Sequence, residues 1–233
     1  MLFNDIRVPR ENLPRQLGAM AATLVAAFAA CATPGSASAQ EAAGGFAGAK
    51  PGAVTVALAD AIRTNQFEWL SEAPMETIKG TAPGVQGTFR TNLARLSETT
   101  GEVQVPVATM KTGNPIRDGH VRSKDWLDAD AHPNITFKIE QVEKVVVTGI
   151  KATLTVAGAF TLHGVTKRMT VPVALTWMAA GEKTKSVPGD WLKFELKFAV
   201  KLADYAVAGK RGIVGKKVGE SIQIEGVLYG HTK

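Results

Sequence analysis

The stretch Thr153–Trp177, TLTVAGAFTLHGVTKRMTVPVALTW, decides the fold. In its first half Leu154, Val156, Gly158, Phe160 and Leu162 occupy even positions, while Thr153, Thr155 and Thr161 point the other way. After His163-Gly164 the apolar residues fall on odd positions: Met169, Val171, Val173, Leu175 and Trp177. Period-two alternation is the mark of a strand with one buried and one wet face, and two such runs around a short polar turn form a hairpin. The same period recurs at 193–202, where Phe194, Leu196, Phe198, Val200 and Leu202 alternate with Lys193, Glu195, Lys197 and Lys201. It returns near the C-terminus in Ile222, Ile224 and Leu228, and more weakly at 67–71, 85–93, 101–109 and 135–147.

About eight one-faced strands must bury their apolar faces, and only one short helix is available to cover them. The expected fold is therefore all-β: a lipocalin-like antiparallel β-barrel of about eight strands with a short helical insert. Closure of the barrel removes exposed edges, and eight strands enclose either packed side chains or one small ligand. A β-sandwich is the architectural alternative.

The helical insert belongs to GNPIRDGHVRSKDWLDADAHP at 113–133. Asn114-Pro115 is an N-cap with proline at the first helical position, and Ser123 is a second N-cap before KDWLDA. The sequence places a short helix near 123–130, with Ile116, Val121, Trp126 and Leu127 packing on one barrel end.

Working outward to the N-terminus, Arg7, Arg10 and Arg15 precede the apolar run Leu17–Ala32, and small residues follow as far as Ala39. This is the pattern of a secretory signal peptide over 1–39, too short for a membrane span. Cys31, the single cysteine, would leave with it; retention at a lipidated Cys31 is the alternative. Removal of Arg7, Arg10, Arg15, Asp5 and Glu11 lowers the formal charge from +6 to +5. The Ala/Gly-rich segment 40–61 reads as a flexible linker, and 62–231 as the barrel domain. Export implies a periplasmic, soluble protein with no stable membrane insertion. Nothing in the sequence sets an oligomeric state.

Chemical motifs mostly fail their spacing rules. His120, His132, His163 and His231 show no metal-ligand spacing. The stretch beginning at Asp128 departs from a calcium loop at Pro133 and Ile139. GKRGIVGKK at 209–217 has five residues between Gly209 and Gly215 where a phosphate-binding loop has four, and reads as a mobile Gly/Lys hairpin. No cofactor motif is present. Lys193, Lys197 and Lys201 lie opposite Phe194 and Phe198 on their strand, which argues against nucleic acid, since stacking platforms need aromatics beside the basic groups.

The chain resembles the YceI-like family, periplasmic polyisoprenoid-binding proteins with a lipocalin-like barrel. The resemblance rests on TTGEVQVPVATMKTGNPIRDGHVRSKDWLDADAHPNITF at 99–137, GAFTLHGVTKRMTVPV at 158–173 and VGESIQIEG at 218–226. Two places depart from the family pattern: the opening strand, here NQFEWLSEAPMETIKG, and Ala206, where Gly commonly follows Asp204-Tyr205. The resemblance implies binding, not catalysis: an isoprenoid or similar long-chain lipid held in the barrel with its head near a mouth. About a dozen buried methylenes contribute on the order of 10 kcal/mol, and association costs offset several kcal/mol, leaving roughly micromolar or tighter binding.

The residues expected to line the tail are Phe137, Phe160, Leu162, Leu175, Trp177, Phe194, Leu196 and Phe198, each on the apolar face of its strand. For an anionic head group the candidates are Arg117, His120 and Arg122, which otherwise staple the insert to the barrel. The alternatives are a non-catalytic structural or stress-related interaction module, and a hydrolase or isomerase using His120 or His163.

Overall fold

The computed structural model describes residues 44–58, 65–182, 187–210 and 212–233. The expected signal peptide lies outside the described residues. Ten strands follow in chain order: β1 (Val54–Leu58), β2 (Gln66–Ala73), β3 (Glu76–Pro83), β4 (Gln86–Asn92), β5 (Arg95–Pro106), β6 (Asn134–Thr148), β7 (Lys151–Leu162), β8 (Val165–Met178), β9 (Trp191–Lys201) and β10 (Ser221–Thr232). The described helix α1 spans Pro115–Arg122.

All pairings among these strands are antiparallel, in the order β1-β4-β5-β6-β7-β8-β9-β10, and β10 returns to β1 through Val56 opposite Thr232 and Leu58 opposite Gly230. That ring is an eight-stranded closed barrel. The β2–β3 hairpin extends it: β2 continues along the edge of β10 beyond β1, with Gln66 opposite Val227 and Ser71 opposite Ile222. β3 pairs with β2, and β5 pairs with β4 and β6, but no register joins β3 to β5. Across that seam the backbones of Thr81 and Lys111 exchange two hydrogen bonds, of 2.8 and 2.9 Å.

The alternation in the sequence becomes an inward face. Leu154, Val156, Phe160 and Leu162 of β7 and Val171, Leu175 and Trp177 of β8 are all buried. The turn between β7 and β8 is His163-Gly164, with φ of 50° and 74°. Positive φ at both central residues is what a two-residue hairpin turn matched to strand twist requires.

Two strands arise where alternation was not visible. The linker expected over 40–61 is corrected: β1 lies within it and pairs with both β4 and β10, while Phe46 is buried in the core. Ala and Gly dominate the composition there, so five strand residues, VTVAL, leave little periodic signal. β3, ETIKGTAP, is interrupted by Gly80, over which the Trp69 indole lies so closely that no side chain would fit.

The helix also lies elsewhere than expected, at 115–122 instead of 123–130. Asn114 Oδ1 accepts from the amides of Ile116 and Arg117 at 3.0 and 3.3 Å, so the first cap starts the helix. Ser123 ends it: its backbone is extended, and its hydroxyl donates to the His120 carbonyl at 2.7 Å. Asp118 accepts from the Thr112 hydroxyl and amide, each at 2.6 Å, and these bonds hold its carboxyl below the usual carboxylate range despite a smaller opposing effect of desolvation. Leu127 is buried, with Val121 and Trp126 packed beside it, whereas Ile116 is 74% exposed instead of packing on the barrel.

Candidate functional site

Inward-facing side chains do not fill the barrel. Val56, Leu96 and Leu192 are almost wholly buried and form a floor. Above them Phe194, Leu196 and Phe198 of β9, Ile222 and Ile224 of β10, and Phe67 and Trp69 of β2 point inward yet remain only half-buried, because they face a cavity. Its volume is about 770 Å³, within the range of about 300–1,000 Å³ common for ligand sites.

Seven of the eight residues expected along a tail line this cavity: Phe137, Phe160, Leu162, Leu175, Phe194, Leu196 and Phe198. Phe160 meets Phe198 edge to face at 6.2 Å and Tyr205 at 5.4 Å, while Phe194 leans on Phe89 at 5.6 Å. Trp177 is the exception. It stands opposite Leu192 of the floor, stacks on Phe46, and donates from Nε1 to Asp190 at 3.1 Å; it does not line the cavity.

Polar groups gather at the opposite end. Arg117 and His120 from α1, Ser123 and Asp125 from the insert, Glu76 from β3, and Lys210 and Lys217 from the β9–β10 connection line the opening. Two ion pairs organise them: Arg117 to Glu76 and Lys210 to Asp125, both at 2.6 Å. Arg122 is placed differently. Its guanidinium donates to the Ala108 carbonyl at 3.2 Å, and the residue is not part of the cavity wall. Of the three head-group candidates, the structure therefore brings Arg117 and His120 to the opening and sets Arg122 aside.

His163 does not reach the cavity either. Its Nδ1 lies 3.2 Å from the Tyr205 carbonyl and its ring meets His132 edge to face at 5.3 Å, which ties the β7–β8 turn to the insert. The described residues of the Gly/Lys segment, 209–210 and 212–217, are a folded part of the rim: Trp126 lies against Gly209, and Val214 bridges to Val218. Among the described residues, no group of three His, Cys, Asp or Glu side chains is placed to hold a metal.

Sequence reasoning missed Phe67, Trp69 and Phe89 as cavity residues. Phe67, Trp69 and Ser71 do alternate, so the signal existed, but only over a short span. Trp69 Nε1 is buried without a hydrogen-bond partner among the described residues. A buried donor left unpaired costs about 1–3 kcal/mol. Ser71 Oγ accepts from the Gly219 amide at 2.9 Å, fixing the start of β10 against β2.

Comparison with known proteins agrees with this architecture. Residues 58–228 match the family described as YceI-like domain. The chain is 32% identical over 162 residues to a UPF0312 protein of Pseudomonas fluorescens, covering 69% of this chain and 80% of that one. It is 30% identical over 148 residues to Protein YceI of Shigella flexneri, covering 64% and 73%. Among solved structures it is similar to BcnA of Burkholderia cenocepacia, with TM-score 0.58 and 21% identity over 71% of this chain and 95% of that one. It is also similar to a polyisoprenoid binding domain from Saccharophagus degradans implicated in plant cell wall breakdown, with TM-score 0.57 and 13% identity over 78% and 100%.

Proposed function

The chain belongs to the YceI-like family, and on that premise we propose that it binds an amphiphile with a polyisoprenoid-like tail inside the barrel and carries it in the periplasm. The observation that carries this reading is the apolar cavity of about 770 Å³, floored at one end and ringed by charged groups at the other. A long hydrocarbon gains free energy along its whole length in such a tube, about 0.8 kcal/mol per buried methylene. No bond needs to be made or broken for that function, and most of the cavity wall is apolar. The neighbouring polyisoprenoid binding domain supports the chemical class of the tail. The leader-like segment before Gln40 supports the compartment.

Native mass spectrometry of gently purified protein, followed by organic extraction, tests the reading. The expected result is a bound species with a long apolar chain, released by solvent. Protein that is ligand-free, and that also fails to take up added polyprenols, overturns it. N-terminal sequencing of the protein from its native host tests the compartment, with Gln40 as the expected first residue.

A further inference from the structure

Two large apolar side chains stand out of the barrel at its open end. Met75, in the β2–β3 turn, is 72% exposed, and Ile116, in the first turn of α1, is 74% exposed, the highest values among the exposed large hydrophobic residues described. The residues that follow them, Glu76 and Arg117, are bridged at 2.6 Å, which brings the β2–β3 turn and the first turn of α1 to the same end of the barrel. The Met75 amide also donates to the Lys216 carbonyl at 3.2 Å, which sets the turn at 215–217 beside the β2–β3 turn.

The Gly/Lys segment brings Lys210, Lys216 and Lys217 to the rim, and the insert adds Lys124, all of them exposed. Lys210 is paired with Asp125, whereas Lys124, Lys216 and Lys217 have no ion-pair partner among the described residues. The two carboxylates that line the opening, Glu76 and Asp125, are both engaged. The open end therefore presents two apolar tips together with ammonium groups that have no ion-pair partner among the described residues; Glu220 lies by Gly215 on the same turn.

We propose that this rim docks on the surface of a bilayer containing anionic lipids, with Met75 and Ile116 entering the headgroup layer and Lys124, Lys216 and Lys217 pairing with lipid phosphates. Apolar tips alone would suit any apolar partner; the adjacent cations select a negatively charged surface. In this orientation the cavity opens towards the membrane. The proposal goes beyond ligand binding, since the surface argument does not depend on which molecule occupies the barrel.

Co-sedimentation with vesicles tests it, using phosphatidylcholine alone and phosphatidylcholine mixed with phosphatidylglycerol. The wild-type chain is expected to bind the mixed vesicles, to ignore the neutral ones, and to be released by salt. Each lysine near an anionic surface is worth about fivefold in affinity, so Lys216→Glu with Lys217→Glu should weaken binding by more than about tenfold. Met75→Asp with Ile116→Asp should weaken it several-fold. Val146→Asp with Ile150→Asp, a similarly exposed apolar pair in and beside the β6–β7 hairpin, should leave it unchanged. Melting temperatures establish that each variant folds.

Failure of the wild type to bind mixed vesicles, retention of binding in both rim variants, or loss in the Val146/Ile150 variant overturns the proposal. Self-association through the rim without vesicle binding also overturns it. Lipid extraction from the same samples separates the two ideas: vesicle binding by a chain with an empty barrel sinks the ligand reading and leaves this one standing.

Discussion

Phe46 stacks on Trp177 with ring centroids 5.2 Å apart and planes inclined by 22°. This contact joins the segment before β1 to the far end of β8. The amide of Phe46 donates to the Leu93 carbonyl at 2.8 Å, and Leu96 donates back to Gly44 at 2.9 Å, so the segment is laced into the β4–β5 turn. Phe46→Ala should cost about 3 kcal/mol of stability. For a domain of this size that lowers the melting temperature by about 6–12 °C. A thermal scan with an unchanged midpoint would show that the segment merely lies on the barrel.

Leu196 faces the cavity from the middle of β9 and is only half-buried. Leu196→Trp should occupy free space without displacing neighbours, so stability should change by less than about 1.5 kcal/mol. Tail binding should weaken at least tenfold, measured by displacement of a fluorescent polyprenyl probe. A variant that binds as tightly as the wild type would place the tail elsewhere.

Arg117 at the opening is already paired with Glu76. Glu76→Gln should free the guanidinium and strengthen binding of a polyprenyl phosphate relative to the matching alcohol. Arg117→Ala should do the reverse. Arg122→Ala should leave both affinities unchanged and cost about 1 kcal/mol through the lost bond to Ala108. Calorimetric titration of the three variants with the two ligands checks all of this.

Ala206 follows the 3-10 turn Leu202–Tyr205 with φ 55° and ψ 27°, in the left-handed region. A Cβ there is strained, a cost that glycine would not carry. Ala206→Gly should raise stability by up to about 1 kcal/mol, the relief being partly offset by the freer unfolded chain. Urea denaturation with an unchanged slope would register the shift as a change of midpoint alone.

The sequence announces those parts of the barrel where alternation runs long. β7, β8 and β9 are read almost residue for residue from Leu154 to Val200, and with them most of the cavity wall. Trp177 shows the limit of such reading: it shares the inward face of Leu175, but it stands level with the floor residue Leu192 and packs on Phe46, and periodicity carries no information about depth. Arg117 and Arg122 look equivalent in the motif, yet only Arg117 lies in the cavity wall, while Arg122 bonds the Ala108 carbonyl. Phe46 was hidden for another reason. A single aromatic among Ala and Gly has no period at all, and its role appears only once β1 closes the ring.

The seam between β3 and β5 has a mechanical meaning. Between β7 and β8, parting the strands means undoing a continuous ladder of twelve paired positions. At the seam the backbone link is the short exchange between Thr81 and Lys111. Local opening follows the line with the fewest bonds to break, and this line runs beside the mouth. For a guest many carbons long, parting at that slit would replace threading end-on through the charged ring with entry from the side.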